Sequence, residues 1–271
     1  MNTIVFGGSK NIGYYAALRL LGSGATVTFL LRSTSVFDQN NEIQSYVQSG
    51  KARLVKGDAL VEADVQHAWE QATLNDAQVD TVIFTIGGAP SFKLTKGVVV
   101  TPHNLCTRCF LNVLCTLPTN QPTPKIIAIS SAGVTRASHK KLPLSLRPVY
   151  SYLIAGPHRD KLGVERVAAY CAGWNWDTAD RIAPGILDDG WQERVSSRIP
   201  PGSLRTLLVV RPALLTDGDC RADSQGAKAY RVSETELSGY TVSRKDVGHF
   251  VAEAATKRWD EFKDKHVDIA Y

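Results

Sequence analysis

Short apolar runs alternate with segments of helical spacing along most of the chain. The apolar runs cover 3–6, 26–31, 53–55, 81–86, 125–130 and 206–211, and the helical segments cover 11–22, 42–49, 62–73, 103–116 and 158–172. Strand and helix in regular alternation predict a parallel sheet with helices on both faces. The runs are nearly continuous in Val, Ile, Leu and Phe, which is typical of strands covered on both faces. The pattern therefore predicts an α/β fold with a doubly wound parallel sheet.

Two stretches, 132–157 and 173–205, show no clear period, and loops of that length usually shape a site. A helix near 246–258 and a terminal strand, VDIAY, resume the alternation. We expect a single domain over residues 1–271, with a small inserted substrate cap built from about 132–157, 173–205 and 218–243. The second stretch is rich in tryptophan, which either roofs a flat substrate or anchors the segment to the core: Trp174, Trp176 and Trp191.

The composition is that of an ordinary globular protein, with 44% hydrophobic and 21% charged residues and a formal net charge of +5. No apolar run approaches the roughly 20 residues of a membrane helix, and the first hydrophobic stretch is already a strand rather than a signal core. We therefore expect a cytoplasmic protein, monomer or homodimer, that binds a small-molecule substrate. Neither a membrane nor a nucleic acid is expected among its partners.

The five cysteines are an odd number without the spacing of a disulfide framework, so reduced thiols are expected. Cys106 and Cys109 form a CxxC, but no second pair or histidine cluster accompanies it. On a helix the two share an apolar face, which favours core packing over a redox or metal site. Asp188 and Asp189 fit a turn or a helix cap, and no metal site is predicted.

Basic residues concentrate in one region, 136–166. Such a cluster is either a solvated loop and helix face or a rim over an anionic ligand, and the sequence leaves both interpretations open. The cluster comprises Arg136, Lys140, Lys141, Arg147, Arg159, Lys161 and Arg166.

The segment GGSKNIG, residues 7–13, joins the first predicted strand to the first predicted helix. Small residues at such a turn let the backbone approach a pyrophosphate, and the free N–H groups and dipole of the helix N-terminus favour that anion. Gly7 permits the tight turn, Gly8 and Ser9 keep the approach open, and Gly13 lets the helix pack on the strand. Its place between strand and helix is the one that a dinucleotide site requires.

The second strand ends on Arg32 and Ser33, where a protein specific for NAD commonly has an acid that bonds the ribose hydroxyls. A guanidinium forms charge-assisted bonds to a phosphate, and Lys10 in the glycine turn adds a second cation. Arg32 therefore favours NADP(H) over NAD(H) as the cofactor.

The spacing Gly7-x-x-x-Asn11-x-Gly13 resembles the nucleotide loop of the short-chain dehydrogenase/reductase superfamily, G-x-x-x-G-x-G, with Asn11 in place of the middle glycine. Asparagine tolerates left-handed backbone angles better than most residues. The segment also resembles the GATGNIG form of the atypical members, which include NmrA-like and biliverdin-reductase-like NAD(P)-binding proteins. This resemblance implies a Rossmann fold of the short-chain dehydrogenase type.

Downstream segments resemble the superfamily in the same order. VKGDA ends the third strand, VIFTIGG the fourth and IIAISSAG the fifth, DKLGVE resembles the lysine-bearing helix, and VVRPALLTDG resembles the segment beside the nicotinamide. Together the matches imply one set of cofactor-binding residues: Gly7, Gly8, Ser9, Lys10, Asn11, Ile12, Gly13, Arg32, Ser33, Asp58, Ala59, Ile86, Gly87, Gly88, Lys161, Pro212, Ala213 and Leu214.

Typical members use a serine, and a tyrosine and a lysine spaced Y-x-x-x-K, to pass a proton to the substrate carbonyl. Here Lys161 matches the lysine, but Pro157 stands four residues before it, so the standard pair is absent. Glu165, one helical turn after Lys161, forms a surface ion pair with it if the lysine has no catalytic role. The catalytic candidates are two serines, the lysine and three displaced proton donors: Ser130, Ser131, Lys161, Tyr150, Tyr152 and His158.

Three functions remain open. The favoured one is an NADPH-dependent oxidoreductase that reduces a small carbonyl or conjugated compound, apolar or aromatic, with the cofactor carrying the hydride chemistry. The second is a non-catalytic NADP(H)-sensing regulator, as the resemblance to NmrA-like proteins implies. The third is a redox-neutral isomerase or cyclase that uses the same pocket.

Overall fold

An eight-stranded sheet forms the centre of the protein. The computed structural model describes residues 1–88, 91–93, 97–145, 152 and 154–271. Within these ranges the strands are β1 (Asn2–Phe6), β2 (Thr26–Leu31), β3 (Ala52–Lys56), β4 (Thr81–Phe84), β5 (Ser91–Lys93), β6 (Gly97–Val99), β7 (Lys125–Ile129), β8 (Leu207–Pro212), β9 (Leu214–Thr216), β10 (Arg231–Ser233), β11 (Thr241–Ser243) and β12 (Lys265–Ala270).

The large sheet has the strand order β10-β12-β8-β7-β4-β1-β2-β3, and β10 runs antiparallel to β12 while the other pairs are parallel. The register pairs Phe6 of β1 with Leu30 of β2 on one side and with Phe84 of β4 on the other. The strand order reverses between β1 and β4, and open α/β sheets bind ligands at the carboxyl ends of their strands at this point. Two small two-stranded sheets, β5 with β6 and β9 with β11, form ladders of their own.

Helices cover both faces of the sheet, which confirms the predicted doubly wound fold. Packing of α1 and α9 fills one face with side chains such as Ala16 and Phe250, while Trp69 and Phe110 belong to the core of the other face. In the described ranges the helices are α1 (Asn11–Gly22), α2 (Asn41–Gln48), α3 (Glu62–Ala72), α4 (Leu105–Cys115), α5 (Arg136–Lys141), α6 (Ala155–Ala172), α7 (Trp191–Ser196), α8 (Ala222–Gln225), α9 (Arg244–Thr256) and α10 (Trp259–Phe262), with 3-10 turns at Thr34–Phe37, Leu74–Asp76 and Gly226–Ala229.

The long elements agree closely with the predicted ones, whereas the two stretches expected to be irregular contain helices. The stretch 132–157 includes α5 and the first residues of α6, and 173–205 includes α7. The sequence of α5, RASHKK, has no apolar period that could have indicated a helix. Its start is stabilised instead by Thr135, whose Oγ1 accepts a hydrogen bond from Ser138 N at 3.2 Å.

The three tryptophans of the second stretch anchor it to the rest of the protein. Trp174 donates from Nε1 to Asp264 Oδ1 at 2.8 Å, and Trp191 packs edge-on against Tyr170 with ring centroids 5.1 Å apart. The guanidinium of Arg166 lies 5.4 Å from the ring of Trp176. Of the two interpretations left open by the sequence, the structure supports the anchor.

The CxxC is part of the core, as predicted. Cys106 and Cys109 are buried in α4 with free thiols, and burial raises the pKa of both, that of Cys106 to about 12. Neither thiol is therefore ionised at neutral pH. Of the helices that the structure describes, none combines the length and the apolar character needed to cross a membrane.

Candidate functional site

The turn between β1 and α1 is packed so closely that side chains are excluded from it. A Cβ on Gly7 would lie 2.7 Å from Ile86 N, and a Cβ on Gly13 would lie 2.7 Å from Gly7 O. Gly7 and Asn11 both have positive φ, 90° and 58°, and asparagine is one of the few residues besides glycine that adopt this region readily. The turn is consequently a bare stretch of backbone at the start of α1.

This backbone presents hydrogen-bond donors to a ligand. Within the described ranges the N–H groups of Gly8 and Ser9 have no backbone acceptor, and the first turn of α1 carries no acidic residue. The N-terminus of a helix favours an anion through its unpaired N–H groups and its dipole. The glycine cradle therefore fits a dinucleotide pyrophosphate, which Gly7–Gly13 would hold.

Two cations flank the cradle. Arg32 follows β2 directly and is two residues after Leu30, which pairs with Phe6 at the end of β1. Lys10 directly precedes α1. Both side chains are exposed, and in the described part of the chain neither has an ion-pair partner. As exposed cations beside the turn, Arg32 and Lys10 can bind an anionic group.

Lys161 of α6 links the ends of two central strands. Its Nζ donates to Ile86 O at 3.0 Å, just after β4, and to Ile129 O at 2.6 Å, at the end of β7. An ammonium group has three protons, so one donor remains for a ligand. Beside it Gly87 is exposed, and a Cβ there would meet no atom within 4 Å. The lysine therefore lies at the crevice in which the strand order predicts a ligand.

Ser131 and His158 form a pair next to this crevice. Ser131 is on the loop that follows β7, and its Oγ lies 3.1 Å from Nε2 of His158 in α6. Burial lowers the pKa of His158 to about 4, although a hydrogen bond to the Gly133 backbone partly raises it. The imidazole is consequently neutral at pH 7, and the pair can hydrogen-bond a carbonyl oxygen without burying a charge.

Ser130, the other predicted serine, belongs to a buried ionic cluster rather than to an open site. Its Oγ donates to Glu165 Oε1 at 2.5 Å, and Arg211 donates to the same carboxylate from Nε at 2.9 Å. The expected surface pair between Glu165 and Lys161 is therefore wrong, because Glu165 is 4% exposed and pairs with Arg211 on β8. The Arg211 guanidinium holds the pKa of Glu165 below its usual range despite burial.

Arg211 is not among the predicted site residues, although the sequence carries a signal for it. It interrupts the apolar strand LLVVRP, and a charge in a strand covered on both faces requires a buried partner. Such a strand arginine predicts a carboxylate on a packed helix, and Glu165 is that carboxylate.

Apart from Tyr150 and Tyr152, the remaining predicted residues lie at the edge of the sheet where the parallel strands end. Asp58 and Ala59 follow β3, and Pro212 O accepts from Ala132 N at 2.9 Å, which joins the segments after β7 and β8. Tyr152 is 48% exposed, and Tyr150 lies outside the described residues. The edge also carries Ile12, Ser33, Gly88, Ala213 and Leu214.

No family model matches the chain. Comparison with known proteins finds a relative that is named a reductase and solved structures with the same fold. The chain is 27% identical over 227 residues to a protein named reductase pytE from Aspergillus terreus, covering 80% of this chain and 77% of that protein. A double mutant of a Serratia marcescens short-chain dehydrogenase/reductase superposes with a TM-score of 0.60 at 16% identity, over 99% of this chain and 95% of that chain. A blue fluorescent protein from a metagenomic library, solved in complex with NADPH, superposes with a TM-score of 0.55 at 19% identity, over 99% and 96%.

The strand order and the glycine turn agree with these matches. The chain has a Rossmann-type α/β fold, which it shares with the solved short-chain dehydrogenase/reductase, and in sequence it is similar to a reductase.

Proposed function

We propose that this protein is an NADPH-dependent reductase that acts on a small carbonyl or conjugated compound. The observation that carries the proposal is the pairing of the glycine cradle with Arg32, an exposed guanidinium at the end of β2 where an acid would favour NAD. The likeness to reductase pytE supports the reaction class, and the NADPH complex of a structural neighbour supports the cofactor.

Each residue has a distinct task in this proposal. Gly7–Gly13 hold the pyrophosphate, and Arg32 and Lys10 bind the ribose 2′-phosphate. The remaining donor of Lys161 binds a hydroxyl of the nucleotide at the crevice. When bound, the cofactor supplies the hydride. Ser131 donates a hydrogen bond to the acceptor oxygen, neutral His158 orients the serine by donating from Nε2 to its Oγ, and solvent supplies the proton that completes the reduction.

The cofactor assignment is tested with Arg32→Glu. A carboxylate there repels the 2′-phosphate, so NADPH affinity is expected to fall by at least tenfold while NADH affinity changes little. Both affinities are measured by fluorescence titration. The control is Lys51→Glu, which changes the net charge equally but lies at the opposite edge of the sheet, before β3. Equal weakening of both nucleotides by Arg32→Glu would contradict the phosphate assignment.

The reaction is tested by following NADPH absorbance with a panel of aldehydes, quinones, flavins and enones. We expect turnover with at least one class, and a loss of kcat of about 10²-fold in Ser131→Ala with little change in NADPH affinity. Tight NADPH binding without turnover of any acceptor would instead favour a nucleotide-sensing regulator.

A further inference from the structure

A cavity of about 350 Å³ opens beside the Ser131–His158 pair. It is lined by α5, by the residues that lead into α5 and by the first turns of α6. His158 is part of the wall, and its Nε2 is the atom that lies 3.1 Å from Ser131 Oγ. Val134, Ala155 and Leu162 supply apolar wall. A molecule that fills the cavity therefore contacts His158, the partner of Ser131 in the proposed reaction.

Two arginines from different helices line this cavity. Arg136 begins α5, Arg159 lies in the second turn of α6, and both are exposed. In the parts of the chain that the structure describes, neither guanidinium has an ion-pair or hydrogen-bond partner. The undescribed residues contain no Asp or Glu, so they supply no carboxylate either. Lys140 adds a further cation to the wall.

Asp180 is attracted by the charge of Arg136 but forms no ion pair with either arginine in the described part of the chain. Asp180 is buried, and its Oδ1 accepts a hydrogen bond from the backbone N of Arg136 at 2.7 Å. It therefore stabilises the start of α5 through the backbone and does not form an ion pair with the guanidinium of Arg136. Like charges on two helices repel one another, and an anion between them removes that repulsion.

We propose that the substrate carries a carboxylate, which Arg136 and Arg159 bind while its reducible carbonyl faces Ser131. A guanidinium matches a carboxylate in bidentate geometry, and the apolar wall accepts the carbon skeleton between the two polar ends. The inference rests on the proposed reductase function and narrows its substrate class to anionic carbonyl or conjugated compounds. Under this proposal the basic region 136–166 is a rim over an anionic ligand rather than a solvated loop and helix face.

The test uses 4-formylbenzoate and 4-formylbenzamide, which share the ring and the aldehyde and differ in charge. Binding of each to the nucleotide-free protein is measured by calorimetry, and kcat/KM of each with NADPH by absorbance. We expect the carboxylate to bind at least tenfold more tightly than the amide, and we expect added salt to reduce the difference. Replacing both arginines, R136Q with R159Q, is expected to abolish the preference, whereas the control K51Q keeps it.

Equal binding of the two probes, no binding of 4-formylbenzoate, or an unchanged preference in the double variant would overturn the inference. The Tm of the double variant shows that it is folded. Failure of the proposed function is a separate result, because NADPH binding and turnover of neutral acceptors are measured without either probe. A protein that reduces neutral aldehydes but shows no anion preference would refute the carboxylate site alone.

Discussion

Gly13 shows how the absence of one side chain shapes the turn between β1 and α1. A Cβ at this position would collide with Thr85 Oγ1 and would lie 2.7 Å from Gly7 O. The threonine hydroxyl is not free to move away, because it donates to Gly7 O at 3.0 Å. The first helix can therefore approach the ends of β1 and β4 only if residue 13 is glycine.

Replacing Gly13 with alanine is expected to lower the free energy of unfolding by about 1–3 kcal/mol and to weaken NADPH binding, because the added methyl group displaces the turn. Urea unfolding and fluorescence titration measure the two effects. Gly22→Ala is the matched control in the same helix, since its Cβ would meet only Tyr46 Oη at 3.9 Å. That variant should be neutral or slightly stabilising, and an equal loss in both variants would contradict the argument.

Glu165→Gln tests the buried ion pair. Removing the carboxylate leaves Arg211 buried without full charge compensation, so we expect a loss of about 3–5 kcal/mol in the free energy of unfolding. Glu62→Gln removes the partner of Arg194 from an exposed pair, and a loss below about 1 kcal/mol is expected there. Similar losses in the two variants would show that burial does not control the strength of these pairs.

Residues were predictable from the sequence where their backbone position alone defines the task. Gly7 and Gly13 follow from the strand–turn–helix pattern, and Arg32 follows from its place after a strand. The role of Ser130 was not predictable, since it depends on Glu165 and Arg211, which are distant in sequence and meet only when α6 packs on β8. His158 was named as a candidate, but its contact with Ser131 also depends on that packing.

At the level of whole elements, α4 is held by a carboxylate from another helix. Asp160 of α6 accepts hydrogen bonds from Cys106 N at 2.7 Å and Thr107 N at 2.9 Å, which are otherwise unpaired donors in the first turn of α4. Asn104, which precedes α4, provides no side-chain cap. The long-range cap therefore fixes α4 against the helix that carries Lys161.

Asp160→Ala is expected to lower the free energy of unfolding by about 1–3 kcal/mol, since two buried N–H groups lose their acceptor. Because α6 also carries Lys161 and His158, kcat should fall in the same variant. Thermal and urea unfolding measure the loss of stability. Asp177→Ala is the control, because Asp177 is exposed and accepts one N–H in a turn; a loss as large as that of Asp160→Ala would argue against the cap.

Long elements were predictable because many residues carry one signal, a continuous apolar run in β8 and a helical period in α1. The pattern failed for α5, which lacks an apolar face, and for β10, whose three residues are too few to show alternation. The end of β4 was also predicted too late, because the apolar run continues to Ile86 after the ladder has ended. In each case the boundary is set by contacts with other elements.

For the whole molecule, buried titratable groups make stability depend on pH. Burial raises the pKa of Asp268 to about 7, partly opposed by a hydrogen bond from Leu237 N. The unfolded carboxyl has a pKa near its ordinary value of 3.8. Between these values the folded state holds a proton that the unfolded state lacks, so this group lowers stability as the pH rises from about 4 to about 7. His158, with its lowered pKa, acts in the opposite direction below about pH 6.5.

Asp268→Asn removes the first of these contributions and leaves the second. The free energy of unfolding of the variant minus that of the unchanged protein should be larger at pH 8 than at pH 4.5, because an amide has no charge to bury. Urea unfolding at both pH values measures the difference, and comparison of the two proteins cancels the contribution of His158. A difference that is the same at pH 4.5 and pH 8 would show that Asp268 is already ionised in the folded state.

The hydrogen bonds of Lys161 to two backbone carbonyls reduce the entropy that this side chain loses when a ligand binds. A free lysine side chain loses about 1.5–2 kcal/mol of rotamer entropy when a ligand orders it. Here Ile86 O and Ile129 O have already ordered the ammonium during folding. A ligand that accepts a hydrogen bond from the remaining N–H group meets a preorganised donor, so ordering this side chain does not reduce the binding affinity.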